Sequence, residues 1–508
     1  MRASAHRAAV ILRENGEGMR TIPTFWFEAR PWIDGCWQGR GESFAVTNPA
    51  TGAPLAEVVR ADAAAVERAI VGAAVAQRSW RDASAADRGA VLVRTAAALR
   101  ARSDEFARLL TAEQGKPYPQ AVGEVEYAAS FFQWFGEEAR RVSGRIVPHP
   151  DPAREFFVEQ VPAGVAGLVT PWNFPLAQGA KKIAAALAAG CTAVWKPAEL
   201  TPLVALAIAP LLAEAGLPCG GLQIVPGRGS VVGPVLAAHP AVRVLSLTGS
   251  TATGASLMAA AAPGIKRVSL ELGGNAPFIV LPDADIDHVA DDLVRLKLFV
   301  SGQVCVTANR VFVPESLEQS LAEAVAARLR AARVGNGLTD GVDAGPLIHG
   351  EACRDVRKRV ADAVAAGARI VCENRSYESD PALARENFFP PTLVTGVRDA
   401  MRLACDEIFG PVIPLLSYTH VAEAVARGND TPYGLAAYVY GRDLAACRAV
   451  AERLEVGIVG VNEWRPLKAE IPFGGVKTSG IGSEGGAEGI REFLDTRVIS
   501  LPRPAAPA

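Results

Sequence analysis

No two of the eight cysteines form a CxxC pair; they are scattered over positions 36, 191, 219, 305, 353, 372, 405 and 447. In a chain of 508 residues that spread reads as free thiols of a reducing compartment, not a disulfide framework. The six histidines are equally dispersed, with none at helical ligand spacing, so no metal site is expected. No apolar run approaches the roughly 20 residues of a membrane helix, and a net charge of −2 offers no broad basic face to nucleic acid. Lysine is scarce, nine of 52 basic residues. That arginine bias points to a GC-rich, bacterial coding sequence and hence to a cytoplasmic protein. Residues 1–26 hold several Arg and Ala, but Glu14 and Glu17 weigh against a targeting peptide, so a disordered extension is expected, with Met19 a second possible start.

Half the residues are hydrophobic and 21% are charged, an ordinary globular balance in a chain long enough for two or more domains. Residues 61–142 alternate Ala, Leu and charge at helical period, broken at Gly115 and Pro117. The stretch 143–162 turns proline-punctuated and then β-like in "EFFVEQV", as in an extended hairpin or arm. From 163 to 274, apolar strands ("VAGLVTP", "TAVWKP", "LQIVPG", "VRVLSLTG", "RVSLELGG") alternate with Ala/Leu-rich helices, the mark of a parallel sheet covered on both faces. A second α/β series runs from about 276 to 485, and "GIREFLDTRVISLP" reads as a helix and a closing strand.

The first α/β series looks like a dinucleotide-binding domain, although it lacks GxGxxG. "PGRGSVVG" brings Gly227 and Gly229 to one helix start, and "LTGSTATG" brings Thr248, Gly249 and Ser250 to another. Backbone N–H groups at such starts bind phosphate. In "WKPAELTP", Lys196 and Glu199 close a strand; a carboxylate there accepts both hydroxyls of an adenosine ribose and repels a 2′-phosphate. NAD is therefore favoured, with Lys196 leaving NADP open. Chemistry candidates follow in order. Asn173, stiffened between prolines in "PWNFPL", presents a fixed amide donor for an oxyanion. Glu271 ends an apolar strand in "LELGG", where burial raises a carboxyl toward a general base. Cys305 follows in "SGQVC", and "DEIFGPV" adds Glu407 and Phe409, suited to a ribose and a flat ring. Taken singly, each has a plain alternative: a turn asparagine, a salt-bridged glutamate, a small core cysteine.

Taken together and in this order, with "PFGGVKTSG" at 472–480, the motifs resemble the aldehyde dehydrogenase superfamily over residues 27–500. The resemblance implies an aldehyde dehydrogenase-like α/β fold: a Rossmann-type NAD-binding domain from 27–142 and 163–275, an α/β catalytic domain at 276–485, and a β oligomerisation arm from 143–162 and 486–502. It implies Cys305 as nucleophile, Glu271 as base, an oxyanion site at Asn173 and the Cys305 N–H, and Lys182 near the nicotinamide ribose. Thr170, Pro171, Trp172 and Leu272, which flank Asn173 and Glu271, join the implied cofactor set. The expected reaction is attack of the Cys305 thiolate on an aldehyde, loss of hydride to the nicotinamide, and hydrolysis of the thioester by water activated at Glu271. A homodimer or homotetramer is implied.

"LLTAEQGKP", "YAASFFQWFGEEARRVSG" and "VGVNEW" are most similar to the succinate-semialdehyde dehydrogenase branch. Three positions depart from it. Phe299 stands where the branch has a carboxylate-binding Arg, Leu467 where it has a Ser, and Lys181 where it has a second Arg. Removing partners of a buried carboxylate costs about 3–5 kcal/mol. With Phe174, these changes point to an apolar mouth for an aromatic or longer aliphatic aldehyde, while Lys181, Arg465 and Lys468 leave a basic rim. Succinate semialdehyde itself is the alternative. A CoA-acylating enzyme or a non-catalytic structural protein is disfavoured by the presence of Glu271 and Cys305. Thr307, two residues after the nucleophile, leaves no second cysteine for a redox lock.

Overall fold

The computed structural model describes residues 19–39 and 41–503. The stretch between 61 and 142 folds into the helices Ala63–Asp82, Ala85–Ala101, Ser103–Gln114 and Tyr118–Glu138. Their ends have local causes. Asp62 accepts a hydrogen bond from Ala65 N–H and Ser84 from Asp87 N–H, satisfying donors that a helix start leaves orphaned. Gly115, at φ 96°, closes the third helix, and Pro117 precedes the fourth.

The strand–helix alternation from 163 to 274 becomes the parallel strands Val165–Val169, Ala193–Lys196, Leu222–Ile224, Val242–Thr248 and Arg267–Glu271. Alternate residues serve opposite faces. Ala166 and Leu168 join the core built with Phe131, Phe132 and Leu187, while Val165 and Val169 face Val66, Ile70 and Leu236. This is why the strands read as unbroken apolar runs. Across the sheet the order is third, second, first, fourth, fifth, reversing between Val165–Val169 and Val242–Thr248. Beyond the carboxyl ends of strands at such a reversal lies the crevice where open α/β sheets bind ligands. The edges are foreign pieces: Trp32–Ile33 with Cys36–Trp37 on one side and Gly480–Ile481, antiparallel to Arg267–Glu271, on the other. The segment 276–485 therefore returns one short strand to the first sheet.

The second sheet runs Arg369–Glu373, Thr392–Thr395, Val412–Tyr418, Ala308–Pro314, Ala276–Val280, Ala436–Tyr440 and Ile458–Val461. All neighbours in it are parallel except the first pair. Apart from both, Arg145–Pro148, Arg154–Pro162 and Leu494–Pro502 make an antiparallel sheet, in register from Leu494 opposite Pro162 to Pro502 opposite Arg154. The helix expected before the closing strand is only a 3-10 turn, Arg491–Phe493. Gly485, Gly486 and Gly489 just before it weaken any longer helix.

The expected extension at 1–26 is revised at its end. Met19 bridges to Thr339, Arg20 N–H donates to the Leu338 carbonyl at 3.0 Å, and Trp26 packs against Phe106 at 5.1 Å between centroids. Apolar side chains at Ile22, Phe25 and Trp26 make that docking favourable; residues 1–18 lie outside the described part. Among the described residues no helix is long and apolar enough to cross a membrane, and no group of three His, Cys, Asp or Glu is placed to hold a metal.

Candidate active site

The helix Ile286–Leu298 runs into a distorted loop that delivers Cys305. Val300, Ser301 and Gly302 take φ of 50°, 53° and 73° in succession. For a β-branched residue such as Val300 that is a strained conformation, kept only where surroundings over-determine it. The surroundings are specific. The Gln120 side-chain oxygen accepts from Val300 N–H at 2.8 Å, and the Ser301 hydroxyl donates to Gly345 O at 2.8 Å. The Gln303 amide donates to Val300 O and accepts from Ile348 N–H, each at 2.9 Å. A Cβ at Gly302 would collide with the Gly410 carbonyl, so only glycine fits.

Two cavities meet on the Cys305 side chain. One opens at the sheet reversal and is lined by Pro171, Trp172, Asn173, Thr248, Gly249 and Ser250 from its strand ends, and by Leu272, Glu407 and Phe409 across from them. The other is walled mainly by apolar side chains, among them Phe174, Phe299, Trp464, Leu467 and Phe473, with Lys181 and Arg465 as its cations. Cys305 and Gln178 line both. Around this junction, buried polar atoms go unpartnered among the described residues: Asn173 Oδ1, Gln178 Oε1, Thr248 Oγ1 and both Glu271 oxygens. Each such atom costs about 1–3 kcal/mol, a concentration expected of a ligand site and not of a packed core.

Asn173 is fixed by two hydrogen bonds. Its Nδ2 donates to Gln303 O at 2.9 Å, its own carbonyl accepts from Lys116 Nζ at 2.8 Å, and Lys116 is paired with the fully buried Glu124. Glu124 in turn accepts from Leu176 N–H at 3.0 Å and Ala177 N–H at 3.1 Å, holding the start of the helix Ala177–Ala189. One amide N–H of Asn173 stays free for a substrate oxygen.

Charge near the thiol is arranged around Glu484. Lys181 donates to it at 3.2 Å, and Lys182 both to it and to Ser246 Oγ at 2.8 Å. Burial pushes Glu484 upward, but the two ammonium groups outweigh that and hold it below the usual carboxylate range. Glu271 differs. Burial, and then the Glu484 charge, push it well above its ordinary value against Lys181 and Lys182. Burial first, then Glu407 and Glu271 against Lys181, push the Cys305 thiol up to about 12. The site thus sets a thiol held high in its range beside an unpartnered carboxyl that burial also holds above its usual range.

A sequence model of the aldehyde dehydrogenase family matches residues 37–499. The chain belongs to the aldehyde dehydrogenase family. It is 43% identical over 472 residues to a 3-sulfolactaldehyde dehydrogenase of Pseudomonas putida, covering 92% of this chain and 96% of that one. It is 42% identical to a glutarate-semialdehyde dehydrogenase of Pseudomonas putida KT2440, covering 94% and 98%. Among solved structures, an Escherichia coli NADP-dependent enzyme superposes with a TM-score of 0.91 at 42% identity, covering 94% of this chain and 98% of that one.

Within this family member, the residues expected from sequence divide by place. Asn173, Cys305, Pro171, Trp172, Thr248, Gly249, Ser250, Leu272, Glu407 and Phe409 come together on the first cavity, and Phe174, Lys181, Phe299, Arg465 and Leu467 on the second. Lys196, Glu199 and Gly229 lie off the first cavity, on the next strand end and helix start. Glu199 is ion-paired with Arg60, which sequence reading passed over. Thr170 accepts from Trp195 Nε1 at 2.9 Å and so supports the strand end. Lys182 and Glu271 line neither cavity, since their side chains turn toward Glu484 and Gly474. Lys182, expected beside a ribose, has the buried Glu484 as its counter-charge. Lys116, Glu124, Tyr127, Gln178 and Glu484 were not singled out. Two of them, Lys116 and Tyr127, sit inside motifs that only place the branch, and that was the available signal.

Proposed function

We propose that this chain oxidises an aldehyde to its carboxylic acid with a nicotinamide dinucleotide as co-substrate. The observation that carries the reading is the meeting of two cavities on one thiol, with an amide donor fixed beside it. Asn173 and the Cys305 N–H receive the oxygen of the aldehyde as the sulfur adds to its carbon. Glu271 is unpartnered, and burial holds its carboxyl well above the usual range; deprotonated and turned toward the thiol, it removes the proton that Cys305 must lose and later activates water against the thioester. When bound, the dinucleotide supplies the hydride acceptor. The crevice at the sheet reversal fits it: Thr248 Oγ1 is buried without a partner there, and Gly249 and Ser250 open a helix, Thr251–Ala261.

Lys196 and Glu199 are placed for the adenosine end. Arg60 neutralises Glu199, so the carboxylate that would repel a 2′-phosphate is already compensated, and both NAD and NADP are accepted. The apolar walls of the second cavity take an aldehyde with a longer or aromatic stem. The two-sheet layout supports a cofactor domain from 27–142 and 163–275, a catalytic domain at 276–485 and an arm from 143–162 and 486–502. The arm, apart from both sheets, supports a homodimer or homotetramer, and the even scatter of cysteines supports a cytoplasmic setting.

The test is a panel of aldehydes with NAD and with NADP, followed by absorbance of the reduced cofactor. Reduction dependent on aldehyde and lost in Cys305→Ala is the expected result. Reduction by no aldehyde, or undiminished reduction by Cys305→Ala, contradicts it.

A further inference from the structure

The cations around the aldehyde cavity differ in one respect. Lys181 is bound to Glu484, and in the neighbouring cavity Arg328 is bound to Asp291 and Arg295 lies 3.7 Å from Asp292. Arg465 lines both the aldehyde cavity and a neighbouring cavity that shares Phe299 and Trp464 with it, yet among the described residues it has no carboxylate partner and no hydrogen-bond acceptor. Its guanidinium carbon sits 4.9 Å from the Phe299 ring centroid and 6.0 Å from that of Tyr127. Phe299 is itself braced by Trp464 at 5.7 Å and Phe174 at 5.6 Å. Glu124, the acid that acts on Arg465, is already taken by Lys116. Burial lowers the Arg465 pKa, the sign of a cation lacking compensation.

We propose that Arg465 is the anion-binding residue of the aldehyde cavity, and that the substrate is an aldehyde whose far end carries a carboxylate. The inference rests on the aldehyde dehydrogenase reading above and names its substrate class. Phe299 supports the face of the guanidinium and leaves its N–H edge to a planar, two-oxygen acceptor, the geometry in which Arg and carboxylate match best. The apolar rings at 174, 299 and 464 accommodate the stem between the two ends. Phe299 in this chain therefore does not abolish anion recognition; it becomes the platform for a guanidinium that lines the cavity.

Two measurements test this. The first is kcat/KM for glutarate semialdehyde and for pentanal, the same chain length without the charge, in wild type, Arg465→Leu and Arg465→Lys. The ratio of charged to uncharged aldehyde is expected to fall about tenfold or more in Arg465→Leu and by less in Arg465→Lys. A ratio unchanged within about twofold, which a merely structural arginine would give, overturns the proposal. The second is calorimetric titration of glutarate into Cys305→Ala with and without Arg465→Leu. Binding weakened about tenfold or more by the second substitution supports the proposal, and equal binding overturns it. The titration needs no turnover, so a chain that oxidises no aldehyde sinks the proposed reaction while the titration still decides the role of Arg465.

Discussion

Because burial and the nearby Glu407 and Glu271 hold the Cys305 thiol up to about 12, only a trace is thiolate at neutral pH in the free chain. A raised thiol pKa means that the reactive fraction grows about tenfold for each pH unit below that value. Alkylation of Cys305 by iodoacetamide, read on its own peptide by mass spectrometry because Cys36, Cys219 and Cys405 are exposed thiols too, should therefore climb steadily from pH 7 to pH 10. A plateau below pH 8 would mean that a cation activates the thiol at rest and that Glu271 is not needed to take its proton. Arg60 shows the limit of reading residues singly. It lies outside the quoted motifs, and only its spatial partner, Glu199, gives it a role.

At the scale of elements, the turn between the helices Ser103–Gln114 and Tyr118–Glu138 acts on the site through Lys116. Lys116 and Glu124 are both wholly buried, one bonded to the Asn173 carbonyl and the other to the first N–H groups of the helix Ala177–Ala189. Removing one partner of a buried pair leaves a bare charge, at about 3–5 kcal/mol. Lys116→Met should lower stability by that amount in denaturant unfolding and depress kcat together with it, since the Asn173 loop loses its tie. An unchanged unfolding midpoint contradicts the role. The alternation of strands and helices was legible in the sequence because apolar runs and Gly/Pro breaks are local properties. The order of the strands was not, and the reversal that creates the crevice emerges only from pairing. Glu484 escaped for the same reason: its partner Lys182 is 302 residues away in sequence. The nucleophile, the amide donor and the Phe299 wall were legible because each sits in a short motif with its own chemistry.

At the scale of the whole molecule, the sheet of Arg145–Pro148, Arg154–Pro162 and Leu494–Pro502 ends in two open edges. Ile146 and Val498, one on each outer strand, are 61% and 60% exposed. Open edges with apolar side chains invite a second chain. Sedimentation at micromolar concentration should show a dimer or tetramer, and Val498→Asp with Leu501→Asp should shift it toward smaller species. A stable, fully active wild-type monomer contradicts that expectation.

The central claim, that the two cavities serve one covalent event on Cys305, is tested most directly by a single turnover of Glu271→Gln. Mixed with aldehyde and NAD at alkaline pH, so that Cys305 gives its proton to solvent in place of the missing base, then quenched in acid and digested, the variant should slowly yield about one reduced cofactor per site and an acyl group on the Cys305 peptide. Reduced cofactor formed with no acyl group on Cys305, or with the group on another residue, would contradict it.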